Sequence, residues 1–216
     1  MHPGAMLAIW SDIGREHETD YLHWLTREHT LERVSTPGFL GVRVFRAMRE
    51  DVSRYFICYA LESAGVVDSA PYVAKLNNPT PWSQRIMPLL RNFRRGGGPV
   101  RSRAGLGQAG FIAPLILDRA CPPDVGELAA GLVQSDWITA VSILEIDRAR
   151  TSVATREKSM RRQDELFAGL ILVEGLSESA VADACGHLRQ RRQDLDLSPK
   201  DPLPFYRQVF SLDKPS

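Results

Sequence analysis

Residues 16–46 read EHETDYLHWLTREHTLERVSTPGFLGVRVFR. The stretch is an amphipathic helix, a Pro-Gly stop and a strand, and it holds the chain's densest cluster of His, Glu, Arg and aromatic residues. On a wheel of about 100° per residue, Tyr21, Leu22, Trp24, Leu25 and Leu31 share one broad face. Asp20, His23, Thr26, Arg27 and Thr30 lie opposite. Glu28 and Glu32 fall inside the apolar arc, with His29 beside them and Arg33 one turn beyond. Acids four residues apart repel unless a cation intervenes, and acids aimed at a core are costly unless paired. Pro37 disfavours helix before it and Gly38 allows a sharp turn, so the helix ends near Thr36. His29, Glu28 and Glu32 therefore belong to its last turns, where a helix can line the mouth of a cavity.

The strand that follows sets the period. Leu40, Val42 and Val44 alternate with Gly41, Arg43 and Phe45. After a short polar turn, Phe56, Cys58 and Ala60 alternate with Tyr55, Ile57 and Tyr59. Such a pair predicts an antiparallel hairpin. One face suits helices; Arg43, Tyr55 and Tyr59 are expected on the other, around a semi-polar cavity. Upstream, Met6–Ser11 reads as a strand. Downstream come a helix over about 66–76, interrupted by Pro71, a stop at NNPTPW, and a strand within 86–95. The order is strand, helix, strand, strand, helix, strand.

Residues 96–107, GGGPVRSRAGLG, carry five glycines and two arginines. The GxxxxGK pattern of a phosphate loop is missing, so this segment reads as a plain loop. The same order then repeats. Phe111–Leu117 is a strand, and Val125, Leu128, Ala129, Leu132 and Val133 keep helical spacing. Thr139–Ile146 is a strand, 151–162 a polar connection, and Phe167–Val173 a buried strand. Ser177 caps a helix running to about Arg192, and Pro204–Leu212 closes the chain as a strand. Two tandem ferredoxin-like α+β repeats, residues 1–105 and 106–216, follow from this pattern. Each would have helices on one face of an antiparallel sheet, so the open faces are expected to pack on each other as a barrel-like centre.

The totals fit an ordinary globule. The 216 residues are 44% hydrophobic and 25% charged, with a net charge of +1, which gives no reason to expect nucleic acid or a membrane surface as partner. No apolar run reaches the roughly 18 residues of a spanning helix, and no signal peptide is visible. Cys58, Cys121 and Cys185 are odd in number and far apart, which suits free thiols in a reducing cytoplasm.

The stretches HWLTREHTLERVSTPGFLGVRVFRA, SRYFICYALE, SAPYVAKL, NPTPWSQRIMP, TREKSMR and LILVEG resemble a bacterial family of dimeric α+β barrel proteins close to the EthD-like group, whose members are mostly uncharacterised. The resemblance covers most of the chain and is most specific over residues 20–95. It implies the tandem fold above. The superfamily includes monooxygenases, polyketide cyclases, lactone isomerases, degradative accessory proteins and haem enzymes. In several of these groups a histidine near the end of the first helix lies by the pocket, and His29 is the matching position.

His29 could exchange a proton with an enolic or phenolic substrate; the plainer alternative is a histidine bonded to Arg33, Glu32 or a carbonyl. Glu32 could orient the imidazole, or pair with arginines. Glu28, Arg33, Arg43, Tyr55, Tyr59, Tyr72 and Trp82 are candidate lining residues for a small hydrophobic or aromatic molecule, each with plain packing as its alternative. His17, His23 and His29 diverge around a helix, so no metal site is expected. His187, in an arginine-rich helix, is a poor axial ligand for haem, and no cofactor is indicated. The reading is an enzyme that binds a small hydrophobic or aromatic compound between the two sheets, where His29 would move a proton while Glu32 and Arg43 orient the compound or hold an anionic oxygen. Its alternatives are a binding or accessory protein with the same cavity, and a filled scaffold whose main property is homodimer formation. The first half should supply the site and the second half its lid.

Overall fold

The computed structural model describes residues 3–48, 53–161, 165–192, 195, 197–198 and 205–214. Eight strands close into one antiparallel barrel. The first half contributes β1 (Ala5–Ile13), β2 (Phe39–Ala47), β3 (Ser53–Leu61) and β4 (Arg91–Gly105). The second contributes β5 (Phe111–Leu117), β6 (Ile138–Glu145), β7 (Gly169–Gly175) and β8 (Tyr206–Asp213). Their order around the barrel is β1-β3-β2-β8-β5-β7-β6-β4. Each half therefore has the ferredoxin-like order, and the two sheets join where β2 meets β8 and β4 meets β6.

The alternation of side chains sets three cores. Inside the barrel, Trp10 packs on Phe56 at 4.7 Å and on Phe167 at 5.3 Å, with Phe45, Leu170, Leu172 and Tyr206 around them. Outside the second sheet, α5 (Val125–Leu132) and α8 (Glu178–Arg191) cover Leu115, Val141, Ile143, Ile171 and Val173. Ser177 does cap α8, accepting a hydrogen bond from the Ala180 amide.

Outside the first sheet lies a more broken layer. It holds α1 (Glu18–Trp24), α2 (Thr30–Val34), α3 (Ala70–Asn77) and α4 (Pro81–Ile86). Two short helices from the second half flank it: α6 (Arg148–Thr151) and α7 (Arg156–Met160), which packs beside α3. The segment 151–162, expected as a plain polar connection, thus contains α7.

Two further expectations are corrected. The glycine run at 96–98 is not a loop but the middle of β4. A Cβ at Gly96 would strike the Phe167 ring, and one at Gly98 the Glu145 carbonyl. The run marks close approach across a closing barrel rather than slack. Second, Arg43 does not share a face with Tyr55 and Tyr59. Arg43 pairs with Cys58 in the register of β2 and β3, whereas Tyr59 pairs with Val42. Arg43 points into the barrel, and both tyrosines point out beneath the helices.

Candidate functional site

The helix of residues 18–34 is not continuous α-helix. Between α1 and α2, residues Leu25–His29 form a π-turn, and the Thr30 amide bonds to the Leu25 carbonyl, five residues back. One extra residue in the turn advances every later side chain by one position. Leu31, expected on the apolar face, is 47% exposed, while Thr30, expected outside, is fully buried. The buried positions run Tyr21, Trp24, Leu25, then His29, Thr30, Arg33 and Val34. The bulge thus turns His29 and Arg33 inward together and leaves Glu28 and Glu32 at the margin. Such bulges recur at functional sites.

His29 and Arg33 face a cavity between the first sheet and its helices, not the expected space between the two sheets, and Arg43 is not part of it. Its wall includes Ser11, Ile57 and Tyr59 from the sheet, Trp24 and Tyr72 from the helices, and Phe93 and Arg95 from β4. Val153, Thr155, Glu157, Lys158 and Arg161 of the second half cover it. The free volume is about 30 Å³, room for roughly one water molecule.

The polar groups around this space are deeply buried. Arg33 donates from Nη2 to Glu157 Oε1, and both side chains are almost completely shielded. Glu32 Oε2 lies 3.2 Å from Arg33 Nη1 on the outer side. Arg95 donates to the Thr151 carbonyl at 2.9 Å, and its guanidinium lies 5.7 Å from the Tyr72 ring. Arg161 sits 4.1 Å over the Phe93 ring. Against these, the His29 ring packs on Trp24 at 4.2 Å, and its Nδ1 is buried with no hydrogen-bond partner. The Tyr59 hydroxyl is buried and unpartnered as well.

Burial holds the His29 imidazole well below its ordinary range, and the positive charges of Arg33 and Arg161 push it the same way. The ring is therefore neutral. Burial raises the half-buried Glu32 carboxyl; Arg33 opposes that rise and Glu157 adds to it. Burial also raises the Tyr59 phenol, so it is a hydroxyl and a potential donor.

Of the residues singled out in the sequence, His29, Arg33, Tyr59 and Tyr72 line this cavity. The others lie elsewhere. Glu28 accepts a 2.6 Å hydrogen bond from Thr80, the residue that caps α4. Trp82 donates to Asp20 and ties α4 to α1. The Tyr55 hydroxyl donates to Glu18. Arg43 serves the barrel interior. His187 is exposed on α8, bordering a groove with Asp124 and Glu127. Sequence reasoning missed Glu157, Arg161 and Arg95. The first two sit in TREKSMR, a segment whose polarity looks like that of any exposed connection. Its one warning sign was Thr155, an N-cap that marks a short helix.

These features place the chain in a class: a dimeric α+β barrel closed within a single polypeptide. Solved structures agree. An anthrone oxidase-like protein matches 98% of this chain over 93% of its own length, at 12% identity and a TM-score of 0.63. A proposed monooxygenase from Fusobacterium nucleatum matches 99% over 96%, at 11% identity and 0.56. A chlorite dismutase from Candidatus Nitrospira defluvii, in complex with imidazole, matches 97% over 93%, at 8% identity and 0.51. Identities this low carry the fold and nothing finer. No protein-family model and no curated protein sequence matches the chain. Among the described residues no helix is long and apolar enough to cross a membrane.

Proposed function

We propose that the chain is an enzyme of EthD-like type, built from repeats 1–105 and 106–216. It would act on a small hydrophobic or aromatic compound through its own side chains, with His29 moving the proton. One observation carries this reading: a buried, neutral imidazole with an unpartnered Nδ1, turned by a π-bulge toward a cavity rimmed with cations. A buried polar atom left unsatisfied costs about 1–3 kcal/mol, a cost that structural histidines avoid by finding a partner.

The electrostatics suit proton transfer from a weak acid. A neutral imidazole is always in its base form. Its protonation alone is unfavourable, because the ring is buried and Arg33 and Arg161 are near. It becomes favourable when the proton comes from a bound phenol, enol or activated methylene, since the anion left behind faces those same cations. The anthrone oxidase-like neighbour makes anthrones the first compounds to try, because the ketone acidifies their ring methylene.

The cavity of about 30 Å³ describes a closed site. An aromatic compound requires residues 153–161 to move aside, and the Arg33–Glu157 ion pair is their buried hold on the first half. A binding protein that takes up a compound without changing it would need the same movement. Thermal-shift screening of anthrones, phenolic ketones and lactones, followed by turnover assays of wild type and His29→Ala, separates the two. Turnover abolished by His29→Ala supports the enzyme. Stabilisation without turnover in either protein leaves the binding reading, and equal turnover by both ends the proton-transfer proposal.

A further inference from the structure

A recess lies at the barrel mouth, on the opposite side of the first sheet from His29. It encloses about 460 Å³, within the range of small-molecule sites. Met6, Phe45, Cys58 and Leu172 give it apolar walls. Two guanidiniums and one carboxylate meet there. Arg43 donates to Glu174 Oε2 at 2.6 Å, and Arg103 to Glu174 Oε1 at 3.4 Å. The Ala109 amide adds a third donor to Glu174.

The charges in this cluster do not balance. Glu174 is 2% exposed and both its oxygens are taken, while Arg43 and Arg103 are 14% and 9% exposed. Two cations share one anion in a place largely withdrawn from water, where charges should be paired. Arg103 also keeps a buried Nε–H with no acceptor. The other acid on the wall, Asp213, is exposed at the rim and screened by solvent. Beside the charges, Phe45 lies beneath Arg43 at 4.7 Å and offers an aromatic floor. Arg43 also donates to Gln208 and to the Ala109 carbonyl, and Arg103 to Ser142 and to the Gly107 carbonyl, all neutral acceptors that leave the excess positive charge in place. Uncompensated positive charge and the spare Arg103 Nε–H above an apolar floor fit an anion with an apolar body.

We propose that the barrel mouth binds a small carboxylate carrying an aromatic or apolar body, its carboxylate on Arg43 and Arg103 and its body against Phe45 and Met6. The site is independent of the His29 cavity. Arg43 faces into the barrel, while its strand neighbours Val42 and Val44 face the helices.

Isothermal titration with phenylacetate, its neutral isostere phenylacetamide and the cation phenethylammonium tests this. Phenylacetate should bind saturably, and the amide about tenfold more weakly or worse, since a charge-assisted pair is lost. Phenethylammonium should not bind. Ala60→Trp, which fills the mouth beside Met6 and replaces none of the three charged residues, should abolish binding with the thermal midpoint unchanged. Arg103→Met should weaken it, and His29→Ala should leave it intact. The proposal is overturned if the amide binds as well as the acid, if the cation binds best, or if no ligand saturates at millimolar concentration. Binding that survives Ala60→Trp but is lost in His29→Ala would likewise overturn it.

Discussion

The two halves repeat one topology, yet their helix layers are built from different chemistry. The second layer is dry. Leu115, Val141, Ile143, Ile171, Val173, Val181, Ala184, Cys185 and Leu188 fill it, and no charged side chain is buried among them in the described residues. The first layer buries Ser11, His29, Thr30, Arg33, Arg95 and Glu157 alongside its tyrosines and tryptophan. Its helix carries a π-turn, while the matching α5 is short and regular. A duplicated fold can divide labour in this way. One helix layer supplies apolar burial, while the other tolerates ions, an unsatisfied imidazole and a small void. The second half also reaches across the boundary, since Glu157 is what neutralises Arg33.

The largest effect should come from breaking that cross-boundary pair. Arg33→Met would leave Glu157 uncompensated in a site 3% exposed, at a cost of about 3–5 kcal/mol. Adding Glu157→Leu should recover most of the loss, because removing both charges also removes their desolvation. Urea unfolding of the two single variants and the double variant measures this. If Arg33→Met proves nearly neutral, the ions are not shielded and the first layer is not the one assigned here. The dry layer offers the control. Ile171→Ala, at a fully buried position, should cost about 2–5 kcal/mol through lost transfer energy and a cavity. No partner substitution should rescue it, since shape and not charge is lost.

A smaller effect separates the layers by pH. The unfolded imidazole of His29 has the ordinary value of 6.5, and the folded one lies well below it. Above that value both states are neutral and His29 contributes nothing to the slope. As pH falls below it, the unfolded chain takes up a proton that the folded one refuses, so stability drops by up to about 1.4 kcal/mol per pH unit. His29→Leu should remove this component. The raised Glu32 acts in the opposite sense at the acid end, which is why the variant is compared with wild type over the same range. Urea midpoints between about pH 7 and about pH 5 would show the difference, and parallel curves would mean that His29 is charged or solvated in the folded protein.

Periodicity made the barrel legible. Strand alternation and capped helices repeat at each half, and those signals are local. The site was legible as a neighbourhood and not as a geometry. The 3.6-residue wheel put Leu31 inside and Thr30 outside because nothing in LTREH announces an extra residue in a turn. Arg43 was grouped with Tyr55 and Tyr59 because two strands of like pattern can be set in either relative phase. The β2–β3 register, shifted by a bulge between Phe39 and Gly41, chooses the other one. Glu157 could not be found from spacing, since its partner Arg33 lies 124 residues away.

The smallest prediction concerns the turn that enters the second strand of each half. In the first, the Phe39 amide bonds to the Thr36 carbonyl, and the carbonyl of Gly38 accepts from Glu62 at 2.9 Å. In the second, Ile138 bonds back to Ser135, and the carbonyl of Trp137 accepts from Leu176 at 2.9 Å. The two turns are equivalent, and both need a positive φ at the third residue: 87° at Gly38 and 62° at Trp137. Glycine meets that demand freely, whereas a bulky residue is strained by about 1–2 kcal/mol. Trp137 is 65% exposed and has little packing to lose. Trp137→Gly should therefore stabilise the protein by about 0.5–1 kcal/mol, after glycine's extra freedom in the unfolded chain is set against the relieved strain. Gly38→Ala should do the reverse, because a Cβ there meets the Val66 side chain as well as the wrong φ. Thermal unfolding of both variants reads the signs. A destabilised Trp137→Gly would mean that the indole holds the end of the barrel together. A stabilised one would mean that a strained, exposed tryptophan persists beside the strand end carrying Glu174 for a reason other than folding.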